Sequence, residues 1–133
     1  MRTTIFPFHI FLLLSFMACE TSRSPESQIE ISGIWRGQID SMVMEMRLSS
    51  DGLALGGEVV WQVGDPSYMA DVGVASFVER DSVYILLTNF DPPTNIASLS
   101  GRMAGNVMSG VYRRLHESAP LSDSGSWIAV KQN

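Results

Sequence analysis

A chain of 133 residues, 45% hydrophobic, with 14 acidic and nine basic side chains and a formal charge of −5, is long enough for one domain with a sizeable core and short for two. Its acidic balance, with basic residues scattered singly, argues against a nucleic-acid partner and against adsorption to anionic lipid. One cysteine leaves no disulfide to be made within the chain.

The chain opens as an address. Arg2 precedes a mostly apolar run, Ile5 to Phe16, interrupted by Pro7, His9 and Ser15. A helix needs roughly 20 apolar residues to cross a bilayer core, so this run fits the apolar region of a secretory signal peptide instead. Ser15-Phe16-Met17-Ala18-Cys19 follows, a small residue standing just before the cysteine. It resembles the lipobox of bacterial lipoproteins, with Phe16 where that family prefers leucine. The resemblance implies cleavage after residue 18, acylation at Cys19 and firm attachment to membrane, since processed lipoproteins carry two or three acyl chains and one alone holds only marginally. It places the protein in the bacterial cell envelope, at the outer membrane of a Gram-negative cell, facing the periplasm or the exterior. The alternative is ordinary cleavage nearby, leaving Cys19 as a free thiol. Without residues 1–18 the chain keeps 115 residues, with eight basic and 14 acidic side chains.

Residues 19–28 are the expected tether: Glu20 to Ser27 are small, polar and include Pro25, with nothing to bury. The domain is expected over 29–133. In the first strand, Ser32 to Asp40, Gly33, Trp35, Gly37 and Ile39 share one face at period 2. Asp40-Ser41 turns into Met42–Leu48, the clearest alternation in the chain, with Met42, Met44, Met46 and Leu48 opposite Val43, Glu45 and Arg47. Asp51-Gly52 is a strong hairpin signal. The return strand, Leu53 to Val63, puts Leu53, Leu55, Gly57, Val59, Trp61 and Val63 on one side, with a bulge or bend expected at Gly56-Gly57. Met69 to Glu79 reads as a strand whose alternation blurs from Gly73 to Ser76. Ser82 to Thr88 is apolar on both faces, which implies full burial or a covered surface. Asn89–Asn95 is expected to be loop. Ile96–Met103 and Val107–Leu115 form a third hairpin, His116–Gly125 is a long polar loop, and Ser126–Lys131 is a final strand.

Eight sequential strands and no sustained helical period predict an all-β chain with negligible helix. An antiparallel meander of this size removes its edges by closing into an up-and-down barrel; the alternative is a β-sandwich. Mid-strand glycines at 37, 57, 73, 101 and 110 favour closure, because strongly curved strands need positions without a β-carbon.

Gly33-x-Trp35 at the head of the first strand resembles the Gly-x-Trp that opens lipocalins and avidin-like barrels, the calycin group. Leu99-Ser100-Gly101-Arg102, Met108-Ser109-Gly110-Val111-Tyr112 and Gly125-Ser126-Trp127 are similar to the late hairpins of such barrels. The resemblance spans residues 29–131 in outline, without the lipocalin terminal helix or paired cysteines. It implies a tryptophan plugging one barrel end with a basic residue across it, for which Arg113, Arg114 and Lys131 are candidates.

The residues offer little to catalysis. His116, the one histidine after the leader, sits in a polar loop; no His or Cys spacing suits a transition metal, and no glycine-rich loop leads into a helix to cradle phosphate. The expectation is a non-enzymatic protein with no cofactor and no metal. Trp35, Met42, Met44, Met46, Trp61, Tyr112 and Trp127 are the candidate lining of an interior cavity for a small apolar ligand, methionine being adaptable to irregular guests. More usually, methionines and aromatics in a small barrel are simply its packed core. A different class is a protein-interaction or enzyme-inhibitor module reaching an envelope partner through loops Gly64–Tyr68, Asn89–Asn95 and His116–Gly125. There Tyr68, Phe90, Pro92, Pro93 and Leu121 are expected to be exposed.

Overall fold

The structure, a computed structural model, describes residues 30–62, 67–90 and 93–133, Phe90 by its backbone alone. The expected signal peptide (1–18), Cys19, the expected tether (19–28), Val63 and Pro92 lie outside the described residues. Nine strands form in order: β1 (Gly33–Ile39), β2 (Met42–Asp51), β3 (Ala54–Trp61), β4 (Tyr68–Val72), β5 (Phe77–Glu79), β6 (Ser82–Phe90), β7 (Pro93–Ala104), β8 (Val107–Arg114) and β9 (Ser124–Lys131). Every pairing is antiparallel, and β1 pairs with both β2 and β9, so the sheet closes. The result is a small barrel of eight staves, consistent with a calycin-like fold, and not a sandwich. No helix occurs among the described residues.

The ninth strand exists because one stave is broken where the alternation blurs. β4 pairs with the far part of β3 and β5 with its beginning, both against β6. In the gap, Val74 is fully exposed and Ser76 is buried. Ser76 replaces the missing ladder on both sides: its carbonyl accepts from Leu55 N–H at 3.1 Å, and its hydroxyl accepts from Leu86 N–H at 2.8 Å. Ser76→Ala leaves that part-buried N–H without its partner and is expected to cost about 1–2 kcal/mol in denaturant unfolding.

The inward set of each strand makes the core. Trp35 and Ile39 of β1, Met44, Met46 and Leu48 of β2, and Leu55, Val59 and Trp61 of β3 are buried, as are Val83, Ile85 and Leu87 of β6. The alternate residues of β6, Tyr84 and Leu86, are half-buried on the outer wall, where Tyr84 stacks on Phe77 with ring centroids 5.6 Å apart. Leu53, expected inside, is 60% exposed because it belongs to the β2–β3 turn. Pairing continues further into Asn89–Asn95 than expected, with β6 running to Phe90 and β7 starting at Pro93, a strand position that needs no ladder donor. On the outer wall Glu45 bridges Arg36 at 2.8 Å and Arg47 at 3.0 Å, and these guanidinium hydrogen bonds, Arg36's first, hold its carboxyl below the usual range.

Candidate functional site

Strand direction sorts the connections. Residue 30, the β2–β3, β5–β6 and β7–β8 turns and the end of β9 lie at one end of the barrel, here the near end. The Asp40-Ser41 turn, the end of β3 and start of β4, the end of β6 and start of β7, and the β8–β9 connection lie at the opposite, far end. The described flanks of all three stretches picked out in the sequence therefore share the end opposite residue 30.

The near end is closed by chain. Ile31 is buried, and its carbonyl accepts from the Trp35 indole N–H at 2.8 Å. Lys131 is the direct cross-strand neighbour of Trp35 and its ammonium bonds the Glu30 carbonyl. Among the three basic candidates for that end, Lys131 is the one in position; Arg113 and Arg114 belong to the far end. Glu30 accepts from Ser32 N–H at 3.2 Å and from the Ser50 hydroxyl at 3.1 Å, and its carboxyl is held below the usual range, the Ser32 backbone bond being the largest cause.

The far end is closed by a strap, residues 115–123. It is tied to the wall where Leu115 N–H donates to Ile96 O at 2.8 Å and Arg114 N–H to Asp123 O at 2.9 Å. Ala119 and Leu121 are buried and belong to the hydrophobic core, so Leu121 is not the exposed loop residue expected from sequence. Pro120, between them, offers its carbonyl to the Trp61 indole at 3.5 Å. Tyr68 is likewise half-buried, its ring 4.8 Å from Trp61 and its hydroxyl accepting from Asn89 Nδ2 at 2.9 Å. Pro93 is exposed as expected.

Beneath the strap lies a polar latch. Asp40 takes a left-handed backbone at the β1–β2 turn (φ 55°), a conformation that aspartate tolerates better than most residues. This sets its carboxylate against the Tyr112 hydroxyl and the Ser122 hydroxyl, the latter donating at 2.9 Å; Tyr112 and Ser122 are themselves 3.0 Å apart. Burial, then the hydrogen bond to Asp40, pushes the Tyr112 phenol above its ordinary value of 10.0. The fold thus holds the Tyr112 proton more tightly than the unfolded chain does. Its contribution to stability is fully present below pH 10 and is lost as pH rises through the folded-state value. Unfolding midpoints taken from pH 8 to 11 are expected to drop for the native protein and to stay flatter for Tyr112→Phe.

Arg114 stands at the mouth beside the seven residues expected to line the interior. It follows Tyr112 at period 2 and pairs directly with inward Ala97, so its guanidinium faces the barrel mouth. There Nη1 donates to Leu121 O at 3.2 Å and Nη2 meets Asp123 Oδ1 at 2.6 Å. Parity within β8 could have identified it; nothing local marks Ala119 and Leu121 except two apolar residues in a polar stretch.

The seven expected lining residues all face inward but do not ring one point. Trp35 and Met46 are cross-strand neighbours toward the near end, and Met44 and Trp61 are neighbours toward the far end. Met42 is half-buried at the far rim, and Tyr112 joins the latch. Trp127 crosses β8 so that its indole N–H is shared between Ser100 O at 3.3 Å and Val111 O at 3.1 Å. No family model, curated protein or solved structure matches the chain.

Proposed function

We propose that this protein is a non-enzymatic bacterial envelope lipoprotein, acylated at Cys19, whose calycin-like barrel holds a small apolar ligand in its far end. The observation that carries this reading is that the far mouth is closed by a strap, whereas the walls beneath it carry Trp61, Met44 and Met42 on fixed strands. A strap can move aside without breaking a sheet ladder; a mouth filled by strand-borne side chains cannot. Two methionines and an indole suit a guest of irregular apolar shape. Trp35 and Lys131 hold residues 30 and 31 at the near end, so a tether preceding residue 30 would join the barrel at the end opposite this mouth.

Titration with a fatty-acid series and a hydrophobic dye is expected to shift tryptophan emission, with Trp61→Phe losing most of the response. No emission change across such a panel would overturn the reading. Mass spectrometry of the envelope-extracted protein tests the anchor separately, a diacylglyceryl adduct at Cys19 being expected and absent from Cys19→Ser.

A second reading, protein docking or enzyme inhibition through the loops, is favoured by the meeting of the β3, β4, β6 and β7 ends with the strap at one end and by the exposed strap tip His116-Glu117-Ser118. Retention of an envelope protein by the native chain, lost on replacing that tip with glycines, would support it.

A further inference from the structure

We infer that Ala119-Pro120-Leu121 is a built-in occupant of the ligand site, and that the ligand is an amphiphile: an apolar chain ending in an anionic hydrogen-bond acceptor. This rests on the interior-ligand reading and adds to it the ligand's chemistry and the way in.

The strap puts two kinds of group into the mouth. Ala119 and Leu121 supply apolar volume to the core, and two successive carbonyls, of Pro120 and Leu121, accept from the Trp61 indole and from Arg114. Lifting the strap exposes both features together, an apolar hollow and two donors at its rim. An indole N–H and a guanidinium left facing an apolar site without acceptors are strongly unfavourable. A plain hydrocarbon fills the hollow and leaves the Trp61 N–H and Arg114 Nη1 without the carbonyls they have lost. A chain ending in a carboxylate fills the hollow and meets both, and Arg114, freed from Leu121 O, favours the charged head over a neutral one. The Asp123 carboxylate stays at its tie to the Arg114 N–H, but at 89% exposure its pull on Nη2 is screened by solvent, and Nη1 is left for the head group.

Ligand and strap then exclude one another, and apparent affinity is reduced by the fraction of molecules whose strap is open. Anything that weakens the strap without touching the donors should tighten binding. Leu121→Ala removes most of the plug, and Ser122→Ala removes a latch hydroxyl from an exposed residue outside the core.

The test uses decanoate, decanol and decylammonium with the full chain, read by tryptophan emission and by amide hydrogen exchange. Decanoate is expected to bind best and decylammonium worst. Binding should deprotect the amides of Ala119 and Leu121 while those of Ile85 and Leu99 in the wall stay protected. Leu121→Ala should tighten decanoate about tenfold and Ser122→Ala a few-fold, and Arg114→Gln should abolish the preference for carboxylate over alcohol. Protection of the wall amides in each variant shows that the barrel still folds. Decanoate bound beneath a still-protected strap, or affinity unchanged or weakened in both Leu121→Ala and Ser122→Ala, overturns this inference and leaves the interior-ligand reading standing. No binding of any probe by the native chain or either variant overturns both.

Discussion

Replacing Gly57 by alanine should destabilise the barrel by about 4 kcal/mol, while the same change one residue earlier, Gly56→Ala, should stay within about 0.5 kcal/mol of native. The two glycines are adjacent and equally conspicuous in the sequence, but they do different things. Gly57 has φ 128°, outside the range that side-chain-bearing residues readily adopt, and a β-carbon there would collide with the Arg47 carbonyl and crowd the Leu48 backbone. Neither contact can yield, because both belong to β2, which pairs with β3 at this point. At Gly56 the nearest atom to an added β-carbon is the Ser49 hydroxyl at 3.5 Å, ordinary contact, so alanine fits and narrows the unfolded ensemble. Thermal unfolding should separate them by roughly 20 °C, since 1 kcal/mol moves a domain of this size by about 4–8 °C. Equal midpoints would mean that β3 bends by a mechanism independent of that backbone approach.

What the sequence disclosed, and what it withheld, divides along the same physical line. Period-2 alternation reports which face of a strand is buried, so Trp35, Met44, Met46, Val59 and Trp61 could be assigned inward from letters alone, and all five are buried. The mid-strand glycines reported curvature: added β-carbons at 37, 57, 101 and 110 would strike neighbouring strand backbone. Alternation also reported where it failed, and the blurred stretch from Gly73 to Ser76 is the break between β4 and β5. Loops carry no such period. Leu121 and Tyr68 read as exposed because polar and turn-forming neighbours surround them, yet one is in the core and the other packs on Trp61. The strap's position depends on Asp40 and Ser122, 82 residues apart, and on Trp61 and Pro120, 59 apart. No local rule joins residues across such separations.

The three tryptophans should respond unequally to truncation, and the order reports how each site can relax. Trp→Ala in a core loses about 3–5 kcal/mol, depending on how far the surroundings collapse into the space. Trp127→Ala should lie at the top of that range. Its ring spans from β9 over β8 to β7, reaching Gly101, and Gly110 stands opposite it in register, so the wall beneath has no side chains to swing into the void. It also loses an N–H shared by two carbonyls. Trp61→Ala should lie at the bottom, because its indole meets the strap through one long bond, and Ala119 and Leu121 can settle inward without disturbing a ladder. The phenylalanine variants isolate the N–H: about 1 kcal/mol or more for Trp35, whose bond to Ile31 is short and buried, and a few tenths for Trp61. Denaturant midpoints for the six variants give the ranking directly. A loss for Trp61→Ala as large as for Trp127→Ala would mean that the strap is as unyielding as the wall, and a mouth so closed could not admit a ligand by the route argued above.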